Sequence, residues 1–230
     1  MSGEERRDDH GAITGRIVAR MLLEAGAIRV SQAQPFVLAA GWASPVYIDC
    51  RLLIGEMRWR RTVTDLTVAT LRRSPSTDFD MVAGAETAGI PWASFLAERL
   101  DLPLRYVRKR SLGIGRDAQV EGGDVEGRHV LLVDDLTTDG HSKAAFTRGL
   151  RQAGATVTDA FSIFHHAVFP GGKERMASLG LRLHSLAGWE DLLRLEPTEG
   201  LDKAQRQLLE KFLEDPVGWS FRNGGRGRDS

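Results

Sequence analysis

The chain has 230 residues, enough to bury one sizeable core, so one domain plus decorations is expected. Its 31 Lys and Arg balance 31 Asp and Glu, which excludes a global field steering it to nucleic acid or a membrane surface. A single cysteine, Cys50, excludes an intrachain disulfide and fits a reducing, cytoplasmic setting, with a buried structural thiol as its expected role.

Residues 1–10 are charged and lack an apolar h-region, so they predict a flexible lead-in and not a signal peptide. No apolar run approaches the ~20 residues that span a bilayer. From Ile13, the positions Ile17, Val18, Met21, Leu22 and Ala25 keep helical spacing, with Gly26 as the stop. Residues 27–30 and 35–38 predict short strands. Residues 38–51 predict a hairpin with a charged end, its turns at Gly41 and Ser44-Pro45 and a strand over Val46, Tyr47 and Ile48. Residues 57–73 predict an amphipathic helix with Trp59, Val63, Leu66 and Thr70 on one face. A loop at 74–78 and a strand at 79–83 follow. Residues 84–89, bounded by Gly84 and Gly89, form a loop before a helix over 90–100. Such a loop presents backbone N–H groups to an anion, though a plain strand-to-helix turn has the same composition.

Residues 102–107 predict a strand that leads into Arg108, Lys109, Arg110 and Arg116, punctuated by Gly113 and Gly115. A long, charged loop of this kind cannot bury a face of its own. The run 108–123 therefore reads as a mobile lid, with a solvated surface loop as the alternative.

The stretch 129–142 organises the rest. Val130 to Val133 reads as a strand buried on both faces, and it ends in two carboxylates, Asp134 and Asp135. A loop of Leu136, Thr137, Thr138, Asp139, Gly140 and His141 follows. A helix then starts with Ser142 as N-cap and ends before Gly154. A loop at a helix start aims unpaired N–H groups at one point, where the dipole favours an anion. Gly140 lets the backbone approach a ligand, and Thr137, Thr138 and Ser142 add hydroxyls. The twin acids could accept from vicinal hydroxyls or hold a divalent cation. A ribose carrying a 5-phosphate satisfies both halves. A solvated acidic pair at an ordinary turn is common, but not this whole string in this order.

Residues 155–164 predict another strand. His165 and His166 are neighbours on an extended chain and face opposite ways, so they do not share a metal, and no residue is assigned as a metal ligand. Residues 180–186 predict a last strand and 189–195 a helix. Leu201, Leu208, Leu209 and Phe212 give a C-terminal helix one apolar stripe. Residues 221–230 predict a flexible tail, whose three arginines are too few to argue for RNA. No internal repeat is visible. Strand and helix alternate over 79–164, which predicts an α/β fold with a central parallel sheet flanked by helices. Residues 11–220 would form one domain, with residues 11–50 and the C-terminal helix as its hood.

The string from Val130 to Ser142 resembles the ribose-5-phosphate loop of the type I phosphoribosyltransferases, which use phosphoribosyl pyrophosphate (PRPP). The shared pattern is an apolar run, two acids, two variable residues, then Thr138, Gly140 and Ser142 at alternate positions. Within that superfamily, Gly41, Ser44, Pro45, Tyr47, Ile48 and Asp49 resemble the N-terminal hood of the orotate phosphoribosyltransferases, and the likeness spans residues 17–215. It implies transfer of ribose 5-phosphate from PRPP to orotate, giving orotidine 5-monophosphate and pyrophosphate on the route to UMP, with Mg2+ as cofactor. It also implies a homodimer whose lid closes over the neighbouring subunit's site, with no nucleic-acid or membrane partner. By resemblance, Glu86, Thr87 and Ala88 hold the pyrophosphate, and Arg108 and Lys109 clamp it. Asp134 and Asp135 hold the ribose hydroxyls, while Leu136, Thr137, Thr138, Asp139, Gly140, His141 and Ser142 line the phosphate cradle. Val46, Tyr47, Thr138 and His166 meet the base. Arg108, Lys109, Asp134 and Asp135 carry catalysis in this scheme. The chain departs from the family's usual pattern at five places: Ala39, Ala88 and Leu112 stand where lysine is common, Ile114 where histidine or tyrosine is, and His166 near a base-pairing arginine. These departures leave open a paralogue acting on another base, or a protein that binds PRPP without transfer.

Overall fold

The computed structural model describes residues 9–74, 78–111 and 119–227. Helix α1 (Asp9–Glu24) is followed by the hood strands β1 (Ile28–Val30), β2 (Phe36–Val37), β3 (Ala43–Ser44) and β4 (Val46–Ile48). β1 pairs antiparallel with β4, and β2 with β3. A 3-10 turn, Cys50–Ile54, has no counterpart in the sequence pattern; the Asp49 carboxylate caps it by accepting from the Arg51 N–H. The body follows in order: α2 (Met57–Arg73), β5 (Met81–Ala85), α3 (Gly89–Leu100), β6 (Leu104–Val107), β7 (Val120–Glu121), β8 (His129–Val133), β9 (Leu136–Thr137), α4 (His141–Gln152), β10 (Thr156–His165), α5 (Gly172–Ser178) and β11 (Arg182–Ala187). Then α6 (Trp189–Leu193), α7 (Lys203–Glu214) and α8 (Pro216–Arg222) close the chain.

The main sheet runs β11-β10-β8-β5-β6-β7, with β9 pairing β10 beyond the end of β8. All its pairings are parallel except β6 with β7. This is the expected α/β arrangement, because the β5–β6, β8–β10 and β10–β11 crossovers each spend one helix on a face of the sheet. Strand alternation feeds two cores. Leu131 and Val133 of β8 join Val82, Trp92 and Leu96 on one face, while Val130 and Leu132 join Ala83, Phe146 and Leu150 on the other. All four β8 residues are fully buried, each worth about 1.5–3 kcal/mol. The strand order reverses between β5 and β8, and open α/β sheets bind ligands outside the strand ends at such a point.

Several expectations are corrected. The first helix begins at Asp9, within the expected lead-in. The strand expected at 79–83 lies at Met81–Ala85, so its end runs into the glycine-bounded loop. The buried stripe of α2 is Val63, Thr64, Thr67, Val68 and Leu71, rotated from the apolar one. Two threonines fit there because their hydroxyls donate to the Arg60 and Val63 carbonyls at 2.8 and 2.7 Å. Residues 221–227 are not a free tail. The Arg226 N–H donates to the Gly41 carbonyl at 2.9 Å, and the Arg226 guanidinium lies 5.2 Å from the Trp42 ring. The two ends of the expected lid are tied by the β6–β7 pairing and by Arg108 N–H to the Gln119 carbonyl at 2.8 Å. Its central part, including Leu112, Ile114 and Arg116, lies outside the described residues. Among the described residues no helix is long and apolar enough to cross a membrane.

Candidate active site

The end of β8 builds the site. The Asp134 N–H still donates to the Phe161 carbonyl at 3.0 Å, and the Asp135 carbonyl accepts from Ile163 at 2.9 Å, so both acids are fixed by the sheet they leave. β9 then pairs with Phe164 and His165, which turns the chain across the sheet end towards α4. Gly140, not Ser142, is the N-cap of α4, with φ at +78°. The angle requires glycine; a Cβ there would also press on the flexible end of Met176, 2.6 Å away at Cε. His141 and Ser142 therefore lie in the first helical turn, where N–H groups have no intrahelical acceptor.

This run walls a cleft of about 490 Å3. Asp134 to Ser142 all line it, joined by Ala88 from the second loop, Lys109 from the lid base, Tyr47 from the hood, and His166. The second loop packs directly on the first, since a Cβ on Gly89 would strike the Val133 carbonyl and come within 3.0 Å of the Asp134 Cα. The Glu86–Thr87 peptide in that loop is cis.

The acids differ in their surroundings. Burial, then the charge of Asp134, push the Asp135 carboxyl up to about 7, with Lys143 opposing. Burial also raises Asp139, but hydrogen bonds from the His141 N–H, the Trp42 indole and the His141 ring outweigh it and hold this acid below the usual range. The Trp42 Nε1 donates to Asp139 at 3.2 Å, and His141 Nδ1 lies 3.0 Å from the same carboxylate. Arg175 NH2 is 3.0 Å from His141 Nε2, so the cradle is braced from the hood on one side and from α5 on the other. At the hood wall, the Asp49 carboxyl is lowered by its hydrogen bond from Arg51.

His166 is 1% exposed, packed edge-on against Trp189 with ring centroids 4.9 Å apart. Burial lowers it to about 3, so it is neutral, and among the described residues its Nδ1 has no hydrogen-bond partner.

Not every expected residue reaches the cleft. Val46 is fully buried in the hood, pairs with Val30, and does not line the cavity. Thr87 does not line it either; its carbonyl accepts from Ile90. Glu86 accepts from the Lys109 N–H at 2.7 Å and so sets the base of the lid. Arg108 does not line this cleft: Nε donates to Glu121 at 2.8 Å, with the Tyr106 hydroxyl at 3.3 Å and the Glu86 carboxylate at 3.8 Å from its guanidinium. The structure also adds residues the pattern missed. Lys143 lines the cleft and pairs with Asp134 at 2.5 Å, and Asp49 and Arg51 line it from the hood. A lysine in the first turn of a helix that follows two acids is against the helix dipole, and that signal was available in the sequence.

Comparison with known proteins bears on this geometry. The family model described as a phosphoribosyl transferase domain matches residues 62–175. The orotate phosphoribosyltransferase of Rhizobium rhizogenes is 44% identical over 216 residues, 93% of each chain. The structure is similar to that of orotate phosphoribosyltransferase from Aeropyrum pernix, with a TM-score of 0.65 and 34% identity over 88% of this chain and 98% of that one. It is also similar to a Leishmania donovani UMP synthase, with a TM-score of 0.75 and 27% identity over 87% of this chain, which spans 42% of that longer one.

Proposed function

The chain belongs to the orotate phosphoribosyltransferase family, and from this premise we propose that it transfers ribose 5-phosphate from PRPP to orotate, giving orotidine 5-monophosphate and pyrophosphate. The observation that carries the reading is the cleft itself, in which Asp134 to Ser142 meet Tyr47 of the hood. The bond from the ribose carbon to pyrophosphate breaks with the electron pair leaving on pyrophosphate, and a ring nitrogen of the base supplies the new bond as its own N–H proton passes to the departing pyrophosphate or to water. Positive character then develops on the ribose, as in glycoside hydrolysis. Asp134 and Asp135 act towards the vicinal hydroxyls, and residues 138–142 towards the 5-phosphate. The backbone of Ala88 and the ammonium of Lys109 act towards the pyrophosphate. Tyr47, Thr138 and neutral His166 act towards the base. No side chain serves as nucleophile, because positioning and preorganised charge supply the rate.

Mg2+ fits this site as a companion of the substrate. PRPP offers the hard oxygens that Mg2+ prefers, and Asp134 and Asp135 stand beside the place it would take. When bound, it supplies charge neutralisation on the diphosphate. The working unit in this reading is a cytoplasmic twofold dimer in which lid and cleft come from different subunits.

Pyrophosphate release with PRPP, Mg2+ and a panel of bases tests the reading. Release with orotate is the expected result. Release only with another base makes the chain a paralogue, the outcome that His166 and Ala39 favour. PRPP binding without release makes it a sensor.

A further inference from the structure

Lys143 stands against two rules at once. It sits in the first turn of α4, where the dipole disfavours a cation, and its side chain is 1% exposed, where an ammonium has lost its water. What offsets both lies beside it. Nζ donates to Asp134 Oδ2 at 2.5 Å and to the Leu136 carbonyl at 3.0 Å. The other oxygen of Asp134 accepts from the Asp135 N–H at 2.9 Å. Both oxygens of Asp134 therefore already have partners, drawn from the turn and from the helix after it. Asp135 is half-buried and lines the cleft.

We propose that Lys143 is a positioning residue of the ribose subsite: it ties Asp134 into the turn as a brace and leaves Asp135 as the carboxylate that takes the sugar's vicinal hydroxyls. The inference rests on the PRPP reading of the cleft, and it divides labour between two acids that the sequence pattern treats as equals. The brace runs from the strand end through Leu136 to the first turn of α4. It therefore fixes the spacing between the ribose acids and the phosphate cradle at residues 138–142. It also cancels one of two adjacent negative charges, so the pair presents a single net charge to the ribose as positive character develops there.

PRPP affinity by calorimetry, with kcat and KM for PRPP, tests this on Lys143→Met, Asp134→Asn, Asp135→Asn and their pairs. Lys143→Met leaves Asp134 charged and unpaired, and is expected to raise Kd and KM about tenfold or more. Combining it with Asp134→Asn removes the pair as a unit and is expected to restore affinity above that of Lys143→Met alone. Asp135→Asn is expected to cost roughly 100-fold and to multiply with Lys143→Met. Wild-type affinity in Lys143→Met overturns the proposal. So does an Asp134→Asn variant that loses as much affinity as Asp135→Asn, a comparison that decides the matter even if Lys143→Met does not fold. These affinities judge Lys143 whatever the turnover with orotate, whereas a wild-type protein that binds no PRPP removes the reading beneath it.

Discussion

Asp135 is where pH acts on this molecule most directly. Its carboxyl, raised to about 7 by burial and by Asp134, must be ionised to accept two hydroxyls. As pH falls below ~7 the acceptor form is titrated away, so kcat/KM for PRPP is expected to fall about tenfold per unit, which a pH–rate profile reads directly. Stability runs the other way. The folded group holds its proton more tightly than an ordinary Asp near 3.8, so its contribution to stability is full at low pH and is lost as pH rises through about 7. Asp135→Asn mimics the protonated acid. At pH 8 it is expected to melt a few degrees above wild type while losing PRPP use, and at pH 5, still above the ordinary Asp value of 3.8, a smaller gap of the same sign should remain. Melting curves at both values check this, and an Asn variant less stable at pH 8 contradicts it. Sequence reasoning reached Asp134 and Asp135 because their type and order are diagnostic. It did not reach Lys143: the adverse position in the helix dipole was visible, but a lysine on a helix is ordinarily solvated, and its burial comes from the backbone path of residues 134–143.

At the scale of elements, period and punctuation revealed the strands and helices of the body. They were silent about what holds the hood to it. The bounds of Met57–Arg73 follow from helical spacing, although two threonines replace Trp59 and Leu66 on its buried stripe, and Val130 to Val133 follows from an unbroken apolar run that only a doubly covered strand buries. The end of the chain, rich in Gly and Arg, carries no period, and its order comes from long-range partners. Ser220 is fully buried; its hydroxyl accepts from the Ala43 N–H at 2.9 Å and donates to the Arg226 carbonyl at 2.7 Å. That strap holds Trp42, which stacks on Phe169 at 4.7 Å and donates to Asp139 of the phosphate cradle. Ser220→Ala removes the acceptor of the buried Ala43 N–H and a donor to the half-buried Arg226 carbonyl, which costs about 2 kcal/mol and lowers Tm by roughly 4–8 °C. Since the strap leads to Asp139, the KM for PRPP should rise with little change in kcat. A Ser220→Ala protein with unchanged Tm and KM would show that the strap is dispensable.

At the scale of the whole molecule, the lid poses a question that one chain answers only by half. Lys109 lines the cleft of its own chain, while Arg108 is turned towards Glu121 and Glu86. Both follow directly on the end of β6 at Val107, and in this chain only the Lys109 side chain reaches the cleft. The sequence motif named Arg108 and Lys109 as a pair and gave no direction to either, because direction is a property of the backbone and not of residue type. A twofold dimer offers a second arrangement, in which Lys109 would serve its own cleft and Arg108 the partner's. Mixing two defective proteins separates the alternatives. Arg108→Ala carries an intact Asp135, and Asp135→Asn carries an intact Arg108. When subunits exchange at random, half of the dimers are mixed and one of the two clefts in each is complete, so activity is expected to return to about a quarter of wild type. If Arg108 works within its own chain, no mixed dimer contains a complete cleft and the mixture stays as inactive as its parts. Turnover measured before and after subunit exchange distinguishes the two, and Lys109→Ala with Asp135→Asn is the control, since both residues belong to the same cleft and their mixture should not recover.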